Sequence, residues 1–145
     1  MNTKTFLFGF ILLSFLITRC DIFEPDGGVS LNLQLEKYTF VEGDTLKGTF
    51  TVKNLSSETV HYKFSTSCQF GLNIVSGDKT FRQYPELCAT VLTNLILKGG
   101  ESKQYEFELL LVDEYYNNLI KGDYTVEAFL LNYNSSIVSK PISID

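Results

Sequence analysis

From residue 31 onward, short runs of alternating apolar and polar residues are separated by clusters of turn-forming residues. In the run 31–35 leucine alternates with asparagine and glutamine, and in the run 45–53 Leu46, Phe50 and Val52 alternate with threonine and lysine. Successive side chains of a strand point to opposite faces, so this period of two predicts strands with one buried face. The pattern therefore favours an all-β fold.

The alternation predicts about seven to nine strands, each about five to nine residues long. The runs lie at 31–35, 45–53, 60–64, 70–74, 80–84, 91–97, 104–111, 124–130 and 137–144. Connections this short join antiparallel strands, because a parallel crossover needs about a dozen residues or more. We therefore expect an antiparallel β-sandwich, with a closed barrel of about eight strands as the alternative.

Two connections and the last strand carry more specific signals. Ser76-Gly77-Asp78-Lys79 is typical of a hairpin turn, because Gly and Asp tolerate positive φ. The segment 113–121 is a longer connection with room for one helical turn. Pro141 interrupts the last run, and since proline has no N–H to donate, that strand is expected at a sheet edge.

Residues 1–19 have the layout of a secretory signal peptide. Lys4 precedes an uncharged run from Phe6 to Ile17, which is shorter than the about 20 residues of a transmembrane helix. A buried core helix is the alternative. Cys20 stands where a lipoprotein signal peptide is cleaved, although Arg19 occupies a position that usually holds a small residue.

The predicted organisation is a signal peptide at 1–19, a lipidated Cys20 with a polar tether over 20–30, and one domain over 31–145. Such a chain is exported and anchored to a membrane of the cell envelope through its N-terminal lipid. Acidic residues at positions 21, 24 and 26 fit both a surface-export signal and an inner-membrane retention signal. The periplasmic and the surface side therefore both stay open.

Cysteine usage agrees with export. The chain has three cysteines, and lipidation of Cys20 would leave Cys68 and Cys88 as a pair. In an oxidising compartment this pair is expected to form a disulfide that closes a loop of about 20 residues and stabilises the fold by roughly 3 kcal/mol. Two unrelated thiols in a reduced protein are the alternative.

Charge and residue types argue against several functions. The net charge is −5, and loss of residues 1–19 would remove Lys4 and Arg19 but no acid, so nucleic acid is not an expected partner. His61 is the one histidine of the sequence and is predicted on the polar side of its strand. No serine-histidine-acid pattern and no usual zinc ligand set follow. We expect no enzyme, no cofactor and no metal site.

Eight tyrosines and twelve phenylalanines are more than a core of this size requires, and most of them alternate at strand spacing. Two clusters are less easily assigned to the core. Phe81-Arg82-Gln83-Tyr84-Pro85 lies between the paired cysteines, and Tyr115-Tyr116-Asn117-Asn118 lies in the connection 113–121. Rigid aromatic residues beside Arg and Asn are typical of binding surfaces. The candidate partner-binding residues are Phe81, Arg82, Tyr84, Tyr115 and Tyr116.

Four segments carry a resemblance to a known family. They are Leu33–Asp44, a strand followed by a turn, Thr49–Ser56, a strand ending in Asn and Ser, Leu97–Phe107, with Leu-x-x-Gly-Glu-Ser, and Gly122–Phe129, with Gly-x-Tyr-Thr-Val. Together they resemble the BsuPI-type intracellular proteinase inhibitor domain, which is an immunoglobulin-like β-sandwich. The resemblance covers most of residues 31–131.

The resemblance implies an immunoglobulin-like fold and a protein partner, with a proteinase as the candidate. It transfers no inhibitory residue, because the matching residues are strand and turn residues that specify the fold. The expected function is a non-enzymatic, exported protein-binding domain on a lipid anchor. The alternative is a structural or assembly protein of the cell envelope without inhibitory activity.

Overall fold

The computed structural model describes residues 28–131, 133 and 136–145, and this part of the chain is all-β. Its ten strands are β1 Val29–Leu35, β2 Thr39–Phe40, β3 Thr45–Asn54, β4 Val60–Phe64, β5 Phe70–Ser76, β6 Lys79–Tyr84, β7 Thr93–Leu97, β8 Ser102–Leu110, β9 Gly122–Leu130 and β10 Val138–Ile144. The predicted signal peptide, the lipidated Cys20 and most of the tether lie outside the described residues.

The smaller β4–β7 sheet contributes Phe64, Leu95 and Leu97 to the core, which lies mainly between two larger sheets. One has the strand order β1-β3-β8 and the other β2-β10-β9-β5-β6, while β4 and β7 pair separately. Neighbouring strands are antiparallel, except for β2 and β10, which are parallel. The predicted all-β, immunoglobulin-like sandwich is confirmed, with separate sheets rather than one closed sheet.

The alternation of the sequence becomes the inner face of these sheets. Leu46 and Phe50 of β3 and Val126 of β9 are 0% exposed, and they belong to one continuous apolar core. Tyr124, near the start of β9, donates its hydroxyl to the Ile120 carbonyl oxygen at 2.9 Å. A tyrosine that bonds to the backbone a few residues upstream is a hallmark of immunoglobulin-like domains.

Two elements differ from the sequence prediction. β2 is only two residues long, too short to show alternation, and it accounts for the tenth strand. The segment 113–121 holds no helical turn: Val112 and Asn118 form an isolated bridge around a tight turn. The Asp113 carboxylate accepts hydrogen bonds from the backbone N–H groups that follow it, and such local bonds compete with helix formation.

The hairpin between β5 and β6 has the predicted form. Ser76 pairs with Lys79 across the turn, and Gly77 takes φ 57°, a value that is free of steric cost for glycine. The turn places β6 at the outer edge of the five-stranded sheet. This position matters for the candidate site.

The predicted edge position of the last strand is right only for its first part. The N–H groups of Ser143 and Asp145 in and after β10 donate to Tyr38 and Phe40 at β2. Alternate residues of a strand point their N–H groups to the same side. The nitrogen of Pro141 therefore faces the same sheet edge as the N–H groups of Ser143 and Asp145, at a position that β2 does not reach. Short β2 therefore covers the end of β10 and leaves the proline at an uncovered edge.

Candidate functional site

The structure brings the two aromatic clusters of the sequence together along β6. The Arg82 guanidinium donates from Nη1 to the Asp113 carbonyl oxygen at 3.3 Å. Its Cζ atom lies 4.7 Å from the centre of the Tyr116 ring, within the range of a cation–π contact. We name the surface built by Arg82, Glu86, Tyr115 and Tyr116 the β6 edge surface.

Arg82 organises this surface from within. It is 7% exposed, and its Nη2 forms an ion pair with Oε1 of Glu86. Tyr116 donates its hydroxyl to Oε2 of the same carboxylate. The guanidinium thus joins β6, Glu86 in the connection after β6, and the turn that follows β8. Arg82 therefore positions the surface and does not itself offer a free side chain to a partner.

The turn 113–117 presents its two tyrosines to solvent. Oδ1 of Asp113 accepts from the N–H groups of Tyr115 and Asn117, each at 2.9 Å. These bonds lower the pKa of Asp113, the backbone bond from Asn117 having the largest effect. Tyr116 takes φ 63°, which is uncommon for a residue with a side chain. Tyr115 is 76% and Tyr116 63% exposed, so the turn holds two aromatic rings in solvent on a hydrogen-bonded backbone.

Phe81 and Tyr84 pack toward the interior. The Phe81 ring meets Tyr124 edge-on with 5.3 Å between ring centres, and the Tyr84 ring lies 6.1 Å from Phe70. Both residues pack against the core and are half-buried. The candidate residues therefore divide into the two exposed tyrosines, Arg82, which contacts Tyr116, and two β6 residues that pack on the core.

Residues 85–92, which connect β6 to β7, extend the β6 edge surface. Cys88 forms the predicted disulfide with Cys68, with 5.6 Å between their Cα atoms, a usual separation for a disulfide. Ser67 donates its N–H to the Ala89 carbonyl oxygen at 2.9 Å, and Ala89 donates its N–H to Ser67 Oγ at 3.0 Å. The connection is therefore tied to the neighbouring β4–β5 connection by covalent and hydrogen bonds.

The same connection exposes three large apolar side chains. Leu87 is 91% exposed, Leu92 82% and Val91 50%. Single exposed apolar residues are normal on protein surfaces, but three in one short segment that is held in place indicate a contact surface.

Sequence reasoning missed Glu86 and Leu87. The available signals were an acid that follows Arg82 by four positions and an apolar residue directly before Cys88. Neither signal shows that the Tyr115-Tyr116 turn lies beside them.

A shallow groove of about 420 Å³ runs along β6 and is lined by Thr80, Phe81, Arg82, Gln83, Pro85, Glu86 and Glu114. Ligand pockets for small molecules are mostly apolar and enclosed. An open groove with two glutamates at its rim suits a protein surface better than a small apolar ligand.

Other chemistry finds little support in the described part of the chain. There, no three residues among His, Cys, Asp and Glu cluster as metal ligands. His61 is exposed on β4 and lies opposite Ile96 of β7. Residues 28–131, 133 and 136–145 include no helix that is long and apolar enough to cross a membrane.

Comparison with known proteins gives one family. The family model described as "BsuPI: Intracellular proteinase inhibitor" matches residues 33–135. The match runs from β1 through β9 and into the β9–β10 connection. Among curated proteins no match was found.

Solved structures share the fold at low sequence identity. Alkylpurine DNA glycosylase AlkC of Pseudomonas fluorescens aligns with a TM-score of 0.53 and 12% identity over 81% of this chain and 30% of its own. The β-glucosidase EmGH1 of Erythrobacter marinus gives 0.52 and 15%, over 81% of this chain and 15% of its own. The sporulation control protein Spo0M of Bacillus subtilis gives 0.50 and 14%, over 82% and 50%. This chain thus spans half or less of these proteins, and the likeness shows the sandwich fold alone.

Proposed function

The chain belongs to the BsuPI family of intracellular proteinase inhibitors, and from this premise we propose that it binds a proteinase stoichiometrically and inhibits it as a non-enzymatic partner. The extent of the family match, which runs from within β1 through β9, carries the proposal. The β6 edge surface and residues 85–92 supply the contact area. Because their exposed side chains stand on tied segments, little conformational freedom is lost on binding.

The inhibition assay uses the oxidised domain against subtilisin, chymotrypsin and trypsin, with residual activity measured as the inhibitor is titrated. We expect at least one proteinase to lose activity at a molar ratio near one. Inactivity against every proteinase, together with stable co-purification with envelope proteins, would contradict the proposal and favour the structural or assembly role.

Two variants test whether the β6 edge surface is the contact. Tyr115→Ala removes a 76% exposed ring, and we expect inhibition to weaken by about tenfold or more. Tyr38→Ala is the matched control, because Tyr38 is 47% exposed beside β2, at the opposite edge of the same sheet. Equal losses in the two variants would count against this surface.

We further propose that the chain acts outside the cytoplasm, anchored by lipid at Cys20, so that its proteinase partner lies in the cell envelope. The disulfide between Cys68 and Cys88 supports this location, because such bonds persist in oxidising compartments and are rare in reducing ones. The family description says intracellular, so the compartment needs its own test.

That test is the intact mass of the protein purified from its native membrane, with and without reduction. An N-terminus at Cys20 carrying acyl groups, and a gain of two hydrogens on reduction, are the expected results. An unprocessed chain with free thiols would mean that Arg19 blocks cleavage, and an intracellular inhibitor would then be the better hypothesis.

A further inference from the structure

Leu87 has the highest exposure among the large apolar residues of the described part of the chain, at 91%. It lies in no strand, in the connection that carries the disulfide. The residues on either side of it are bonded to the body of the domain. The side chain therefore projects from a fixed piece of backbone.

The bonds on the two sides of Leu87 are independent of each other. Before it, the Glu86 carboxylate accepts from the Arg82 guanidinium and from the Tyr116 hydroxyl. After it, Cys88 is bonded to Cys68, and the next residue exchanges hydrogen bonds with Ser67. A segment fixed at both ends is preorganised, which lowers the entropic cost of entering a partner's cleft.

A serine proteinase recognises a chain in its cleft chiefly through the side chain that precedes the bond it attacks. The pocket for that side chain is apolar in chymotrypsin and carries an acid in trypsin. A projecting leucine matches the apolar pocket, and an acidic pocket would reject it because its buried charge would stay unpaired.

We propose that Leu87 is the primary specificity residue of this inhibitor and enters the apolar pocket of a serine proteinase. The inference rests on the proposed inhibitory function and assigns the side chain that enters the pocket of the proteinase. Tyr116 contacts Glu86, the neighbour of Leu87, so a proteinase seated on Leu87 would also reach the β6 edge surface. One partner then accounts for both the exposed leucine and the exposed tyrosines.

The test is a change of specificity. Leu87→Arg is prepared in the oxidised domain, and its inhibition constants are measured against chymotrypsin and trypsin. We expect inhibition of chymotrypsin to weaken on the order of 100-fold, and inhibition of trypsin to strengthen, because arginine pairs with the acid of the trypsin pocket. A variant that had merely lost its structure would not gain activity against trypsin.

Leu55→Arg is the control, since Leu55 is a 47% exposed leucine in the β3–β4 connection, outside the proposed contact area. It should leave both constants unchanged. If wild type inhibits chymotrypsin and Leu87→Arg does so equally well, or if Leu55→Arg changes the specificity instead, the assignment of Leu87 is wrong while the inhibitory function stands. If wild type inhibits only trypsin, the proposal that Leu87 enters an apolar pocket is wrong. If it inhibits no proteinase at all, the proposed function fails first.

Discussion

Asn54 ends β3 with a side chain that is 0% exposed. Its Nδ2 donates to the carbonyl oxygens of Glu58 at 2.6 Å and of Leu97 at 3.0 Å. Its Oδ1 accepts from the N–H of Ser56 at 3.0 Å and from the Ser56 hydroxyl at 2.8 Å. The sequence predicts a turn here from Asn and Ser, but the bond to Leu97 depends on the pairing of distant strands, which local pattern does not reveal.

Asn54→Asp is expected to be strongly destabilising. It replaces the Nδ2 donor by an oxygen that faces the carbonyl oxygens of Glu58 and Leu97, and it buries a charge. We expect the free energy of unfolding in urea to fall by about 3 kcal/mol or more. Ser56→Ala removes the hydroxyl that donates to Asn54 Oδ1 and to the Glu58 carbonyl oxygen, and it should cost about 1 kcal/mol. Similar values for the two variants would contradict the role of the Asn54 amide.

Tyr105 makes the free energy of unfolding depend on pH in the alkaline range. Its hydroxyl donates to Gln69 Oε1 at 2.6 Å, and burial raises its pKa to about 12. The folded pKa lies above the unfolded one, so this contribution is complete below about pH 10 and is lost as pH rises toward 12. We expect the free energy of unfolding to fall across that window and to fall less in Tyr105→Phe. Because burial also raises the pKa of Tyr62 and Tyr124, the variant flattens the curve only in part.

Among the elements, the long strands follow directly from alternation, whereas β2 and the turn 113–117 do not. β2 is too short to have a period. The turn depends on the Asp113 carboxylate, and its place beside β6 depends on how the β8–β9 connection crosses from one sheet to the other. The sequence therefore shows each aromatic cluster separately. The contact between the two clusters through Arg82 becomes visible only in the folded structure.

The disulfide is the element that fixes the connection 85–92. Replacing Cys68 and Cys88 by serine together should lower the free energy of unfolding by about 3 kcal/mol in the chain-entropy model. Inhibition should weaken as well, because the disulfide would no longer fix the backbone directly after Leu87. Wild type after reduction is the control and should behave like the double variant. If Cys68 and Cys88 of the unreduced wild type react with a thiol reagent, the disulfide pairing is contradicted.

Arg82 links β6 to the turn 113–117. Lysine in its place keeps the charge but lacks the planar group that stacks on Tyr116 while bonding to Glu86 and Asp113. We expect Arg82→Lys to speed amide hydrogen exchange in the turn by about tenfold, by opening it locally. Amides of β3 are the internal reference and should not change. Unchanged exchange in the turn would show that Arg82 does not hold it.

At the scale of the whole molecule, the sandwich supplies a stable frame, and its contact features gather along one sheet edge. The family match shows which kind of protein the chain is. It does not name the contact residues, because the matching segments are those that build strands and turns. Leu87, Tyr115 and Tyr116 lie within the matched range 33–135 but outside the four segments that carry the resemblance in the sequence. Their role is therefore inferred from burial and contacts.

Isolation of a complex tests the central claim, stoichiometric inhibition, most directly. The oxidised domain is incubated with an equimolar amount of chymotrypsin, subtilisin or trypsin and separated by size, and the intact mass of each partner in the complex is measured. We predict one domain per proteinase, with the domain at its starting mass after prolonged incubation. Elution of the two proteins apart, or digestion of the domain into fragments, with chymotrypsin, subtilisin and trypsin alike would contradict the account.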